Sequence, residues 1–179
     1  MNKIILLDRD GVINQDSWNY IKSAEEFIPV PGSIEAIARL TEAGYRIGVA
    51  TNQSGISRGY YDEEKLAAIH GKMHALVQEA GGNIDAIEYC VHLPESGCAC
   101  RKPEPGMLLA LGERLKSPIQ NVPFIGDRVS DVQAALAVGA APMVVLSPMT
   151  DRDSLKNYQH VPVFDSLALC VDNWLAQHD

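Results

Sequence analysis

Short apolar runs alternate with longer stretches of helical periodicity along this chain. Residues 3–7 carry the run Ile-Ile-Leu-Leu and end at a polar turn, which predicts a buried strand. Residues 8–32 show no period and close on Pro29, Pro31 and Gly32. Ser33 is placed to cap a helix through Ala43, with Ile34, Ile37, Ala38 and Leu40 on one face and Gly44 as its stop. Further strands are predicted at 46–50, 86–91, 122–125 and 142–146. Further helices are predicted from Asp62 to about Ala80, from near Pro105 to about Leu115, over 130–138, and from about Ser166 to Gln177.

Strands alternating with helices of this length imply βαβ units. The expected fold is α/β: a Rossmann-like three-layer αβα sandwich around a mostly parallel sheet. No internal repeat, low-complexity tract or linker interrupts the pattern, and 179 residues suit a single domain, 1–179, with one sizeable core. In such sheets ligands bind beyond the carboxyl ends of the strands. The polar residues after each apolar run are therefore the candidates for chemistry.

Composition narrows the partners. The formal net charge is −8, which works against nucleic acid or an acidic membrane, both of which need a basic face. No apolar run approaches the ~20 residues that span a bilayer, and Met1-Asn2-Lys3 leads into an apolar stretch too short for a signal peptide. A cytoplasmic location is expected. Three of the four cysteines (Cys90, Cys98 and Cys100) fall close together, which in a reducing compartment suggests metal. Cys90-x-His92-x5-Cys98-x-Cys100 supplies three thiolates and one imidazole, a full set for a closed, structural Zn²⁺ loop over 90–100. Free cysteine pairs in an ordinary loop are the alternative. Bound zinc would fix Arg101 and Lys102, which follow directly. Cys170 lies in the apolar stripe of the last helix and reads as a packing residue. His70 and His74 are one helical turn apart, but Gly71 stands where a zinc-protease helix carries Glu, so both read as helix-surface residues.

Four segments stand at strand ends. Asp8 and Asp10 flank Arg9 after the first strand, and in extended backbone they face one volume. They can serve as nucleophile and general acid/base, as two metal ligands, or as solvated acids in a turn. Thr51-Asn52-Gln53-Ser54-Gly55 can cradle phosphate oxygens or simply form a turn. Arg101-Lys102-Pro103 offers two cations to an anion, unless both are merely solvated. Gly126-Asp127-Arg128-Val129-Ser130-Asp131 adds carboxylates that suit Mg²⁺ beside Asp8 and Asp10, although Asp127 or Ser130 can also cap the next helix.

Taken together, Asp8-x-Asp10-Gly11, Thr51-Asn52, Lys102-Pro103 and Gly126-Asp127-x3-Asp131 resemble the four motifs of the haloacid dehalogenase superfamily of phosphatases. Within it, the residues from Leu7 to Asn14, Thr51 to Ile56 and Cys98 to Pro103 resemble two families. These are the D-glycero-D-manno-heptose 1,7-bisphosphate 7-phosphatases and the histidinol-phosphatases. The likeness implies that Asp8 becomes an aspartyl phosphate while Asp10 protonates the leaving alkoxide and then activates water. It implies that Thr51 and Lys102 hold the phosphoryl oxygens and that Arg101 contacts substrate. Mg²⁺ is then expected on Asp8, the Asp10 carbonyl and Asp127, with Asp131 in support. Asp10 needs a proton for part of the cycle, and the neighbouring Asp8 charge is expected to raise its pKa.

Residues 20–31, 51–60 and 103–107 look closer to the heptose family. On that likeness the substrate is a sugar bisphosphate of lipopolysaccharide core synthesis, met by Asp16, Ser17, Trp18, Asn19, Tyr20, Asn52, Gln53, Ser54 and Arg128. Histidinol phosphate is the alternative. A non-catalytic zinc-stabilised binding protein is a remote third, since Asp8, Asp10 and Lys102 are all present. Little sequence lies between the motifs for more than a minimal cap, and a monomer is expected.

Overall fold

Both faces of the first strand, β1 (Ile4–Leu7), are apolar and buried, as a central strand covered on two sides requires. The computed structural model describes residues 3–178. Met1 and Asn2, which open the N-terminal segment read above, and Asp179 lie outside the described residues. After β1 come α1 (Ser33–Glu42), β2 (Arg46–Asn52), α2 (Glu63–Glu79), β3 (Ala86–Cys90), α3 (Gly106–Arg114) and β4 (Pro123–Gly126). Then follow α4 (Val129–Ala137), β5 (Ala141–Val145), the single turn α5 (Arg152–Leu155), β6 (Val163–Phe164) and α6 (Leu167–His178).

The six strands form one sheet in the order β3-β2-β1-β4-β5-β6. Every pairing is parallel, so the sheet is wholly rather than mostly so. The chain builds outward from β1 to β3, then returns to the other side of β1 for β4. This reversal makes the carboxyl ends of β1 and β4 the switch point where such sheets hold ligands.

The two-residue period of β1 divides the core. Ile5 and Leu7 pack with Ile37 and Leu40 of α1, Ile69 and Met73 of α2, and Leu167 and Cys170 of α6. Ile4 and Leu6 pack on the opposite face with Leu108 and Leu111 of α3 and Ala134 and Ala135 of α4. Helices thus cover both faces, giving the three-layer αβα sandwich. Cys170 is fully buried, as its place in an apolar stripe implies.

Several boundaries differ from those expected. Ser33 does not cap α1: Gly32, with φ of +85°, takes that place, and the Ser33 hydroxyl donates instead to the Val12 carbonyl at 2.7 Å. β2 continues past Ala50, so Thr51 and Asn52 are its last residues, paired with Tyr89 and Cys90. The short elements α5 and β6 carry too few residues to show a period. Asp62 does cap α2, its carboxylate accepting from the Lys65 amide at 2.8 Å.

Leu111 is fully buried beneath Gly48 of β2, where an added Cβ would lie 3.3 Å from a Leu111 methyl. Leu111→Ala should lower the free energy of unfolding by about 2–5 kcal/mol, read as a lower urea midpoint with an unchanged slope.

Candidate active site

Asp8 is held at the end of β1 by its own amide, which donates to Ile125 of β4 at 2.9 Å. Its Oδ1 accepts from the Arg9 amide at 2.7 Å and faces Lys102 Nζ at 2.9 Å. Lys102 is 4% exposed; its Nζ pairs with the charges of Asp8 and of Asp131 Oδ1, the latter at 2.8 Å, and donates to the Ala50 carbonyl at 2.9 Å. Burial lowers its proton affinity, but the Asp131 and Asp8 charges outweigh that and raise it. Asn52 clamps the same residue by its backbone, accepting from the Lys102 amide at 3.1 Å and donating to its carbonyl at 3.2 Å.

Asp127 and Asp131 complete the acidic corner. Asp131 Oδ2 accepts from the amides of Asp127 and Arg128, both at 3.1 Å. Asp131, rather than Asp127 or Ser130, therefore closes the start of α4. Asp127 Oδ2 accepts from Ser147 Oγ and its carbonyl from Thr150 Oγ1, each at 2.7 Å. Its Oδ1 is buried with no hydrogen-bond partner among the described residues. Burial, then the Asp131 charge, pushes Asp127 up to about 7. Burial and Asp131 likewise raise Asp8 well above the usual carboxylate range, against the pull of Lys102.

Carboxylate oxygens of Asp8, Asp127 and Asp131 lie within 4.8 Å of one another. An orphaned buried oxygen among three carboxylates is the donor set that a hard divalent cation such as Mg²⁺ takes. Glycine is required on both sides. A Cβ at Gly11, where φ is +85°, would sit 2.1 Å from Asp127 Oδ2, and one at Gly126 would sit 2.3 Å from Asp131.

The Asp10 carboxylate turns away from this corner. Its Oδ1 accepts from Arg9 Nε at 3.1 Å, Arg9 Nη2 at 2.7 Å and Asn14 Nδ2 at 3.0 Å, and its Oδ2 from Gln53 Nε2 at 3.1 Å. The expectation that Asp8 raises its pKa is corrected. Burial pushes it up, but the Arg9 charge and the hydrogen bonds from Asn14, Arg9 and Gln53 outweigh burial and hold it low. Gln53 also donates to Thr51 Oγ1 at 2.9 Å and accepts from the Tyr61 hydroxyl.

A cavity of about 460 Å³ opens over these residues. Asp8, Asp10, Lys102 and Asp131 line it, with Asp16, Ser17, Trp18, Tyr20, Asn52, Gln53, Ser54, Arg101 and Arg128. Thr51 and Asp127 are buried and do not line it. Asn19 lines an adjoining shallow groove with Lys22, Glu26 and Tyr60. Arg128 Nη2 is tethered to Asp16 at 3.0 Å.

Arg58, Pro94 and Met149 also line the cavity and were not expected. Nor were Arg9, Tyr61, Ser147 and Thr150. His70 departs most from expectation, being 8% exposed with its Nε2 3.1 Å from Arg9 Nη1. A signal for its burial exists, because His70 shares the helical phase of Leu66, Met73 and Val77, all buried.

The cysteine loop closes beside Lys102. Donor atoms of Cys90, His92, Cys98 and Cys100 all lie within 4.8 Å of one another, with Cys90 Sγ 3.8 Å from Cys98 Sγ and His92 Nδ1 3.2 Å from Cys100 Sγ. Cys100 Sγ lies 2.8 Å from Cys90 Sγ, closer than two ligands of one zinc ion sit, but three thiols and one imidazole gathered this tightly are a donor set compatible with Zn²⁺. Burial pushes the Cys90 thiol up to about 12, whereas hydrogen bonding with Ser96 brings Cys98 down to about 6. The loop grips its successor: the Arg101 amide donates to Cys98 Sγ at 3.4 Å and Arg101 Nη1 to the His92 carbonyl at 3.3 Å.

With the geometry established, the relatives decide the family. A protein of Pseudomonas putida named D-glycero-β-D-manno-heptose-1,7-bisphosphate 7-phosphatase is 50% identical over 93% of this chain and 95% of its own. The chain belongs to that family. A HAD-hydrolase-like family model also matches residues 99–170. The solved D,D-heptose 1,7-bisphosphate phosphatase of B. bronchiseptica, complexed with magnesium and phosphate, superposes with a TM-score of 0.90 at 43% identity, covering 98% of this chain and 99% of that one. The Burkholderia thailandensis enzyme of the same name gives a TM-score of 0.72 at 36% identity, covering 97% and 99%. No described helix is long and apolar enough to cross a membrane.

Burial, then the Arg9 charge, lowers His70 from its ordinary 6.5 to about 3. Between those values the unfolded chain takes up a proton that the folded one refuses, so this stability is present above pH 6.5 and is lost as pH falls towards 3. His70→Gln removes the effect. In urea titrations at stepped pH, its unfolding free energy should fall less steeply on acidification across that window than the wild type's.

Proposed function

We propose that the protein removes the 7-phosphate of D-glycero-β-D-manno-heptose 1,7-bisphosphate through an aspartyl phosphate on Asp8. The observation that carries this is the pairing of a buried Asp8–Lys102–Asp131 corner with Arg58, Arg101 and Arg128 along the same cavity. One phosphate can reach the corner while a second meets cations. Histidinol phosphate instead carries an ammonium, which those arginines disfavour.

An Asp8 oxygen attacks phosphorus as the bond from phosphorus to the sugar oxygen breaks. Asp10 gives its proton to that oxygen, then takes one from the water that attacks the aspartyl phosphate and frees inorganic phosphate. Asp10 is ionised at rest, and an incoming phosphate dianion adds negative charge beside it, which favours uptake of the proton it must donate. Lys102 and Thr51 hold the phosphoryl oxygens where charge gathers. Mg²⁺ held by Asp8, the Asp10 carbonyl and Asp127, with Asp131 in support, would supply neutralisation of the transferring oxygens. Phosphate-monoester hydrolysis can require acceleration approaching ~10²¹, roughly 28 kcal/mol, so no single group suffices.

Asp16 and Arg128, with residues 17–20, would meet the sugar and its second phosphate. Zn²⁺ on Cys90, His92, Cys98 and Cys100 would hold Arg101 and Lys102 in register. Every group named comes from one chain, so a monomer suffices. The heptose 1-phosphate released fits lipopolysaccharide core synthesis in the cytoplasm.

Phosphate release with Mg²⁺ from the heptose bisphosphate and from histidinol phosphate tests the substrate. We expect kcat/KM to favour the bisphosphate by at least about tenfold, or 1.4 kcal/mol, and the reverse preference would overturn it. In the same assay Asp8→Asn should abolish turnover while phosphate still binds. Removing zinc with a chelator should raise KM or lower kcat well before far-UV circular dichroism changes. Zinc-free protein with unchanged kinetics would show that the loop does not position Arg101 and Lys102.

A further inference from the structure

Arg9 is wholly buried, and its guanidinium serves two partners from opposite edges. Nε and Nη2 both donate to Asp10 Oδ1, while Nη1 lies 3.1 Å from His70 Nε2. A guanidinium only donates, so Nε2 is the acceptor and the ring proton sits on Nδ1. Burial and the neighbouring Arg9 charge keep the imidazole neutral, with Asp10 and His74 the other charged or titratable groups acting on it. The Tyr89 ring stands 6.2 Å away. His70 comes from the middle of α2, outside all the motif segments, and among the described residues its ring makes one hydrogen bond, with Arg9.

The geometry points to His70 as a positioning residue for the reaction: by accepting from Nη1 it fixes the plane of Arg9, and through Arg9 the orientation of the Asp10 carboxylate. Without that acceptor, one buried N–H of Arg9 loses its partner and the guanidinium gains freedom to turn towards another. Asn14 and Gln53 alone then define where Asp10 points. Misplacing a catalytic group by a fraction of its hydrogen-bond length slows the chemical step without weakening substrate binding. The inference rests on Asp10 acting as acid and base.

His70→Gln, His70→Asn and His70→Leu separate this role from a structural one. A glutamine oxygen reaches the place of Nε2, whereas an asparagine oxygen reaches only that of Nδ1. We expect Asn and Leu to lower kcat by about tenfold or more with KM changed by less than about twofold. Gln should keep kcat within about twofold of wild type. Urea midpoints measured alongside show that stability does not follow this order, and if Leu does not fold, Asn against Gln decides. Loss of kcat in Gln equal to that in Asn, full activity of Asn, or a rise in KM in place of a fall in kcat would overturn the proposal. Asp10→Asn is the control. If it remains active, the role given to Asp10 fails; if it is inactive while the His70 variants are normal, only the role of His70 fails.

Discussion

Three carboxylates crowd one buried corner, and the rest of the site answers the electrostatic cost of putting them there. Asp8, Asp127 and Asp131 share this volume with the single ammonium of Lys102, so carboxylates outnumber cations by two. A divalent cation bound there would balance that excess. The upward shifts of Asp8 and Asp127 record the strain of the uncompensated corner, while the downward shift of Asp10 records a carboxylate already satisfied. In the proposed reaction these two environments, two residues apart, would separate a group that meets phosphorus and metal from one that handles protons.

The sheet order brings these groups together. Asp8 follows β1, Thr51 is the penultimate residue of β2 and Asp127 follows β4, and these three strands are neighbours. Lys102 arrives from outside the sheet, after β3 at its edge, and needs other anchors. Asn52 supplies one by holding both its amide and its carbonyl. The cysteine loop supplies the other by gripping Arg101. A lysine with no strand of its own is thereby held as firmly as the aspartates.

Much of this was legible in the sequence because a parallel sheet covered on both faces needs unbroken apolar runs, and the polar residues after them stand out. Asp8, Thr51 and Asp127 were visible for that reason, and the spacing of Cys90, His92, Cys98 and Cys100 marked a metal-competent loop. Other features depend on contacts between distant segments. Nothing in the sequence marks Arg9 as buried until His70 of α2 is placed against it, and His70 reads as a helix-surface residue until its helical phase is matched with Leu66 and Met73. The reversal at Asp10 has the same origin, since its low pKa comes from Arg9, Asn14 and Gln53 rather than from Asp8. β6 escaped notice because two residues carry no period.

The missing side chains of Gly11 and Gly126 bear on how such a protein can diversify. At both positions the space a methyl would fill is taken by Asp127 or Asp131. Change at either glycine therefore demands a compensating move in a buried carboxylate of the acidic corner, and a lineage has almost no neutral route through these sites. Trp18, Arg58 and Arg128, exposed around the mouth, face no such conflict. Descendants of this fold are free to explore new substrates at the rim while inheriting the reacting corner as an indivisible block.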